Sequence, residues 1–180
     1  MIEDCNVMAE RVLSEVDYEQ TSKLFGEKNI VYTLSFAFRD SGISDLLFDC
    51  EYFKPFIDEA VDTNIFNAFY MNVLIVKNGS SVKRHVDTTL SDYIKSLTRA
   101  QKVSVLYLRI PDDMKGGELN IYRQGSVEKV KPETGKLVSF NGNPHEVSPT
   151  FTDHERISLV LESYLLTEDQ YYKIPKYHRL

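Results

Sequence analysis

The sequence predicts a mainly β fold with flanking helices, a β-barrel or jelly roll behind a helical N-terminal third. Two observations carry that prediction. From residue 66 onward, short apolar stretches rich in Val, Ile, Leu, Tyr and Phe recur between turn residues, about eight strands in all. Before residue 66, apolar positions follow helical spacing in two segments separated by one apolar run. At 180 residues the chain is long enough for one sizeable core, so one domain is expected. Its parts are helical support over about 1–65, a barrel core over about 66–166 and a tail over 167–180.

The first helix spans 5–25, where Val7, Met8, Val12, Leu13 and Val16 fall near helical spacing. Residues 26–29 (Gly-Glu-Lys-Asn) break it, and 30–38 form a β-branched and aromatic strand ended by Asp40-Ser41-Gly42. Ser44 is placed to N-cap a helix running to about Asp62, carrying Leu46, Leu47, Phe53, Phe56 and Ile57. Pro55 falls inside that span and would split it in two. Strands then follow at 69–77, 85–88, 103–110, 118–122, 127–130, 136–140, 145–150 and 156–166. Turns at Asn78-Gly79-Ser80, Gly116-Gly117, Gly125-Ser126 and Asn141-Gly142-Asn143-Pro144 separate several of them. Residues 89–101 read as a polar loop or short helix, and the Tyr-rich tail has no period.

A net charge of −6 with no Lys/Arg run argues against nucleic acid as a partner, although Lys83 and Arg84 could form a local basic patch. No apolar run is long enough for a bilayer, and Met1-Ile2-Glu3-Asp4 is unlike a signal peptide, so a cytoplasmic protein with no membrane partner is expected. Cys5 and Cys50 have no metal-binding or redox spacing and read as reduced thiols.

Chemistry concentrates at Val-Lys-Arg-His-Val-Asp-Thr, residues 82–88. On a strand, His85 and Asp87 project to one side and can meet one metal ion. Alone the pair is a weak signal: with four His and 27 acidic residues in 180 positions, about 0.6 such pairs arise by chance. Three features follow it in order: Gly116-Gly117-Glu118-Leu119, then His145 after the Asn-Pro turn, then Arg156 with Ser158 on the same strand face. Two His and one carboxylate on one side of a ferrous ion leave its other positions open for a co-substrate and dioxygen. An Arg on a neighbouring strand offers a planar fork suited to an organic carboxylate.

Each residue also has a plainer reading. His85 and Asp87 could be a surface pair, His145 a turn stabiliser, and Arg156 an ion-pair partner of Glu155 or Glu162 at the rim. Gly116-Gly117 is first of all a turn that permits positive φ. His154 and His178 read as exposed.

As an ordered set, His85-x-Asp87, Gly116-Gly117-Glu118-Leu119, Asn143-Pro144-His145-Glu146-Val147 and Arg156-x-Ser158 resembles the iron(II)- and 2-oxoglutarate-dependent oxygenases, the prolyl-hydroxylase-like branch above all. The resemblance covers roughly residues 66–166. It implies a double-stranded β-helix, a cupin-like jelly roll, with iron held by His85, Asp87 and His145. It implies that Arg156, with Ser158, binds the distal carboxylate of 2-oxoglutarate. The cofactors it brings are Fe(II), 2-oxoglutarate, dioxygen and, as a reductant, ascorbate. The implied reaction is hydroxylation coupled to release of succinate and carbon dioxide. Asp at position 87, rather than Ala or Gly, leaves no ligand position for halide.

One departure stands out. Prolyl hydroxylases usually carry Tyr on the strand before the His-x-Asp pair, and often another three residues before its His. The corresponding residues here are Ile75 or Val76, and Val82, all aliphatic. Tyr107 and Tyr70 are the candidates for the missing hydroxyl, and strand parity does not choose between them. The expected substrate is a prolyl residue in a protein or peptide. A free amino acid or other small metabolite, a non-catalytic 2-oxoglutarate-binding module and a cupin-like metalloenzyme without 2-oxoglutarate are the alternatives. Substrate recognition is expected from 89–101, 112–115 and the tail.

Overall fold

The computed structural model describes residues 4–16, 30–97 and 99–180, with backbone alone at 30–33. Helix α1 (Cys5–Glu15) follows the expected periodicity, burying Cys5, Met8, Ala9 and Val12. The rest of the helix expected to residue 25, and the break at 26–29, lie largely outside the described residues. Strand β1 (Ile30–Arg39) leads through a 3-10 turn (Asp40–Gly42) into α2 (Ile43–Asp49), then a second 3-10 turn (Glu51–Phe53) and α3 (Lys54–Ala60). The span is thus two short helices, the split that Pro55 led one to expect. Pro55 stands in the first turn of α3, where its missing N–H costs nothing. Ser44 is not the cap: Gly42 holds that position without a side-chain hydrogen bond, and Ser44 lies inside α2.

The remaining strands are β2 (Ala68–Val76), β3 (Ser80–His85), β4 (Lys102–Arg109), β5 (Lys115–Gly116), β6 (Leu119–Arg123), β7 (Ser126–Val130), β8 (Leu137–Asn141), β9 (His145–Phe151), β10 (Arg156–Tyr164) and β11 (Tyr177–Arg179). All pairings are antiparallel. One sheet runs β11-β1-β2-β10-β4-β8; the other runs β3-β9-β6-β7, with β5 on β9. Two antiparallel sheets with flanking helices are the jelly roll that the strand spacing predicted. The tail, aperiodic in sequence, adds β11 to the edge of β1 through Phe36↔Arg179 and Phe38↔Tyr177. Helix α4 (Glu168–Tyr171) precedes β11 and carries a Thr167–Gln170 capping box.

The central strands of the larger sheet, β2, β10 and β4, are buried on both faces. On β10, Ile157, Leu159 and Leu161 join Met8, Val12, Phe53 and Phe56 in a core beneath the helices. On β2, Phe69, Met71, Val73 and Ile75 do the same. The alternate residues turn inward between the sheets, where Tyr70, Val105 and Tyr107 meet Leu119, Ile121, Phe140 and Val147. Strands β2, β4 and β10 therefore carry a lipophilic face toward the helices and a mixed one toward the interior, and that interior holds a cavity. Cys5 and Cys50 are buried and form no disulfide, and burial raises the pKa of both. No helix among the described residues is long and apolar enough to cross a membrane.

Candidate active site

Antiparallel register builds the first half of the site. Strand β3 lies beside β9 with His85 directly opposite His145, so the two rings stand 4.4 Å apart. Asp87, two residues on, reaches both. Its Oδ1 is 3.3 Å from His85 Nε2 and its Oδ2 is 3.4 Å from His145 Nε2. One ligand atom from each of the three lies within 4.8 Å of the others, a spacing that suits one metal ion.

Both imidazoles are oriented by the backbone. His85 Nδ1 is 2.8 Å from the Lys83 carbonyl, and His145 Nδ1 is 3.0 Å from the Asn143 carbonyl. A carbonyl only accepts, so each Nδ1 carries the proton and each Nε2 lone pair is free on the Asp87 side. Phe140 packs edge-on against His145, with ring centroids 5.0 Å apart. The Asp87 carbonyl accepts from the Ala100 amide at 2.8 Å, which pins the chain just beyond the strand. Asp87 would accept from Nε2 of a protonated His85 and so raises the His85 pKa against partial burial, whereas burial lowers that of His145 against the same carboxylate.

The second half lies across the cavity on the larger sheet. Arg156 opens β10 and is 1% exposed, which removes the reading of a rim ion pair with Glu155 or Glu162. Burial lowers its pKa, and its guanidinium stands 5.3 Å from the Tyr107 ring. Ser158 lies opposite Tyr107 on β4. Arg156 Nε and Nη1, Ser158 Oγ and Tyr107 Oη are all buried without a hydrogen-bond partner. Burial raises the Tyr107 pKa, and Arg156 pulls against that shift. Four buried donors converging without internal acceptors fit a carboxylate, which supplies what each lacks. The Gly116-Gly117 turn serves this end as well. Both glycines have φ of 73°, and a Cβ on Gly117 would sit 3.5 Å from Arg156 Nη1.

Of the two candidate hydroxyls, Tyr107 lines the cavity and Tyr70 does not. From β2, Leu74 lines the cavity, whereas Ile75 packs in the helix-side core. Val82 lines the cavity as expected. His154 is exposed in the turn before β10, and His178 is exposed on β11.

Sequence reasoning missed the other polar end of the cavity. Glu162 lies inward on β10, 3% exposed, and accepts from Thr89 Oγ1 at 2.6 Å, the Thr89 amide at 3.2 Å and the Tyr164 hydroxyl. Burial, then the nearby Asp87 charge, push its pKa up to about 7. Asn72 of β2 lines the same space with its Oδ1 unpartnered. The signal available in sequence was inward parity with Arg156 and Ser158, since 156, 158 and 162 share one strand face.

The family model of the 2OG-Fe(II) oxygenase superfamily matches residues 71–161, a span that contains every residue lining this cavity except Glu162, which follows it directly. Comparison with curated proteins gives no match. Among solved structures, a prolyl-4-hydroxylase from Pseudomonas putida aligns with TM-score 0.56 and 20% identity, covering 91% of this chain and 86% of that one. A viral collagen prolyl hydroxylase from Paramecium bursaria Chlorella virus-1 aligns with TM-score 0.54 and 15% identity, over 90% and 91%. A Trichoplax adhaerens prolyl hydroxylase, solved with a hypoxia inducible factor peptide, aligns with TM-score 0.53 and 18% identity, over 94% and 81%. At these identities the three show a shared fold.

Proposed function

The chain belongs to the 2OG-Fe(II) oxygenase superfamily, and from that membership we propose that it hydroxylates a C–H bond of a prolyl residue in a protein or peptide. Membership makes it an oxidoreductase that uses ferrous iron, 2-oxoglutarate and dioxygen. The observation that carries the residue assignment is the facing of two sets across one cavity: three ligand atoms within 4.8 Å, and four buried donors without partners.

In this reading His85, Asp87 and His145 hold the iron, which when bound supplies the activation of dioxygen and the oxidising power. The Lys83 and Asn143 carbonyls keep both Nε2 atoms aimed at it. Arg156 holds the distal carboxylate of 2-oxoglutarate through its fork, with Ser158 Oγ and Tyr107 Oη completing the acceptor's partners. Leu74, Val82, Val105, Leu119 and Val147 line the rest of the cavity and keep water from the reacting centre.

The prolyl assignment is supported by the three aligned prolyl hydroxylases and by the Asn-Pro-His-Glu-Val phrase around His145. A free amino acid or other small metabolite is the second reading, and the buried carboxylate of Glu162 favours it.

The test is succinate formation by anaerobically purified protein given Fe(II), 2-oxoglutarate and then air, with prolyl peptides and free amino acids as substrates. Turnover that rises with one substrate class is expected. No succinate from any substrate, with 2-oxoglutarate still bound, would point to a binding module instead. His85→Ala, Asp87→Ala and His145→Ala are each expected to abolish turnover together with stoichiometric Fe(II) binding.

A further inference from the structure

The cavity has two polar ends, and only one suits an anion. Along β10 the inward residues run Arg156, Ser158, Val160, Glu162. Six residues of strand place Glu162 about 20 Å of backbone from Arg156. His85 and His145 face the same cavity from the smaller sheet, and Asp87 from the segment just past β3. Asn72 pairs with Val160 across β2 and β10, which makes it a diagonal neighbour of Glu162 on the same face.

This second end consists of acceptors. Glu162 receives three hydrogen bonds, all from neutral groups: Thr89 Oγ1, the Thr89 amide and the Tyr164 hydroxyl. A carboxylate offers about four acceptor positions, so one remains. Among the described residues no Lys, Arg or His forms an ion pair with it. The Asn72 Oδ1 is a further buried acceptor without a partner.

Charge counting reinforces the point. The two positive charges of ferrous iron and the one of Arg156 match the single negative charge of Asp87 and the two of 2-oxoglutarate. Glu162, in its ionised form, is the lining carboxylate left uncompensated once those groups are in place. A buried anion of that kind is stabilised by a cation that also donates hydrogen bonds.

Resting on the oxygenase reading, we propose that Asn72 and Glu162 form the substrate-anchoring end of the cavity and bind a protonated amine close to the carbon that is oxidised. For a proline substrate this selects a free or N-terminal residue, whose ring nitrogen is charged. An internal prolyl nitrogen is an amide with neither charge nor proton, and it gives Glu162 nothing. Thr89 keeps the carboxylate in place and fixes the chain two residues after Asp87, so the anchor is built into the same segment as the metal ligand.

The experiment is equilibrium binding of four probes to the anaerobic Fe(II)/2-oxoglutarate complex. The probes are L-prolinamide, L-lysinamide and their fully N-acetylated counterparts. Binding is read by calorimetry and by change in the visible absorption of the complex. The expected result is that at least one amine binds about tenfold or more tighter than its acetylated twin, the size of a charge-assisted hydrogen bond. Glu162→Gln should bring the pair to within about twofold, and Asn72→Asp should widen the gap. A Glu162→Gln variant that no longer forms the complex leaves Asn72→Asp to decide.

Equal binding of both twins, failure of both amines to bind, a preference that survives Glu162→Gln, or no widening in Asn72→Asp each overturns the amine site. Those results leave the oxygenase reading standing, because the unliganded complex still shows its absorption band. A protein that forms no Fe(II)/2-oxoglutarate complex overturns both.

Discussion

At the scale of single residues, the site divides by what each side chain can offer. Arg156 is the buried cation whose Nε and Nη1 have no internal acceptor, so its value lies in a fork aimed at a carboxylate. Charged hydrogen bonds of this kind contribute about 1.5–3 kcal/mol, or roughly 10–100-fold in affinity. Arg156→Ala is therefore expected to weaken 2-oxoglutarate binding by roughly that factor and to leave Fe(II) affinity unchanged. Arg156→Lys keeps the charge but loses the fork, and should fall between the two. Titration of 2-oxoglutarate into the anaerobic Fe(II) protein reads all three variants. A 2-oxoglutarate affinity that does not move in Arg156→Ala would sink the clamp and put the dicarboxylate's partner elsewhere in the cavity.

At the scale of elements, two turns hold the clamp. Gly116 has φ of 73°, and a Cβ there would lie 2.1 Å from the Pro149 carbonyl oxygen. Gly116→Ala meets both a backbone conformation that disfavours side chains and a backbone atom with no room to give. A loss of about 1–3 kcal/mol from the strained φ alone is expected, measured by denaturant unfolding, with 2-oxoglutarate affinity falling as β5 pulls away from β9. The other turn precedes Arg156. Asp113 accepts from Thr152 Oγ1 at 2.8 Å and from the Asp153 amide at 3.0 Å, and the Asp153 bond first, then Thr152, lowers its pKa from 3.8. A carboxylate with a depressed folded pKa stabilises the turn above its unfolded value and loses that contribution as pH falls through the folded one. Exchange protection of the Asp153 amide should thus drop below the usual Asp range in the native protein. Asp113→Asn should show weak protection at every pH.

The same scale explains what was legible in the sequence. Strands β4 and β10 were plain because long β-branched runs survive any assignment of faces, and Pro55 marked the break between α2 and α3. The ordered His85, Asp87, His145 and Arg156 set was legible as a spaced motif, but the strand expected over 85–88 ends at His85, so Asp87 reaches the site from the segment just past β3 and not by strand parity. Burial of both faces of β2 and β10 erased the alternation that would have shown Asn72, Leu74 and Glu162 facing inward. Strands β5 and β11, two and three residues long, carry too little pattern to read, and β11 exists because the edge of β1 gives its backbone partners.

At the scale of the whole molecule, β10 separates stability from function by parity. Leu159 is fully buried beneath the helices, whereas its neighbour Val160 lines the cavity. Leu159→Ala is expected to cost about 2–5 kcal/mol, and Val160→Ala much less, since the cavity already leaves that side chain without full packing. Ligands act across the two sheets in the opposite sense. His85 and His145 come from the smaller sheet, Asp87 from the segment just past β3, and Arg156 and Ser158 from the larger sheet, so a metal and a dicarboxylate bound together tie the sheets to each other. A ligand at about 100 times its dissociation constant stabilises the native state by roughly 2.7 kcal/mol. Fe(II) with 2-oxoglutarate, added anaerobically, should therefore raise the thermal midpoint well above that of the chelator-treated protein. Arg156→Ala should keep the metal's share of that rise and lose the share of 2-oxoglutarate, and Leu159→Ala should keep both from a lower starting midpoint. A 2-oxoglutarate increment retained in Arg156→Ala would mean that the dicarboxylate is held elsewhere and that β10 does not join the two halves of the site.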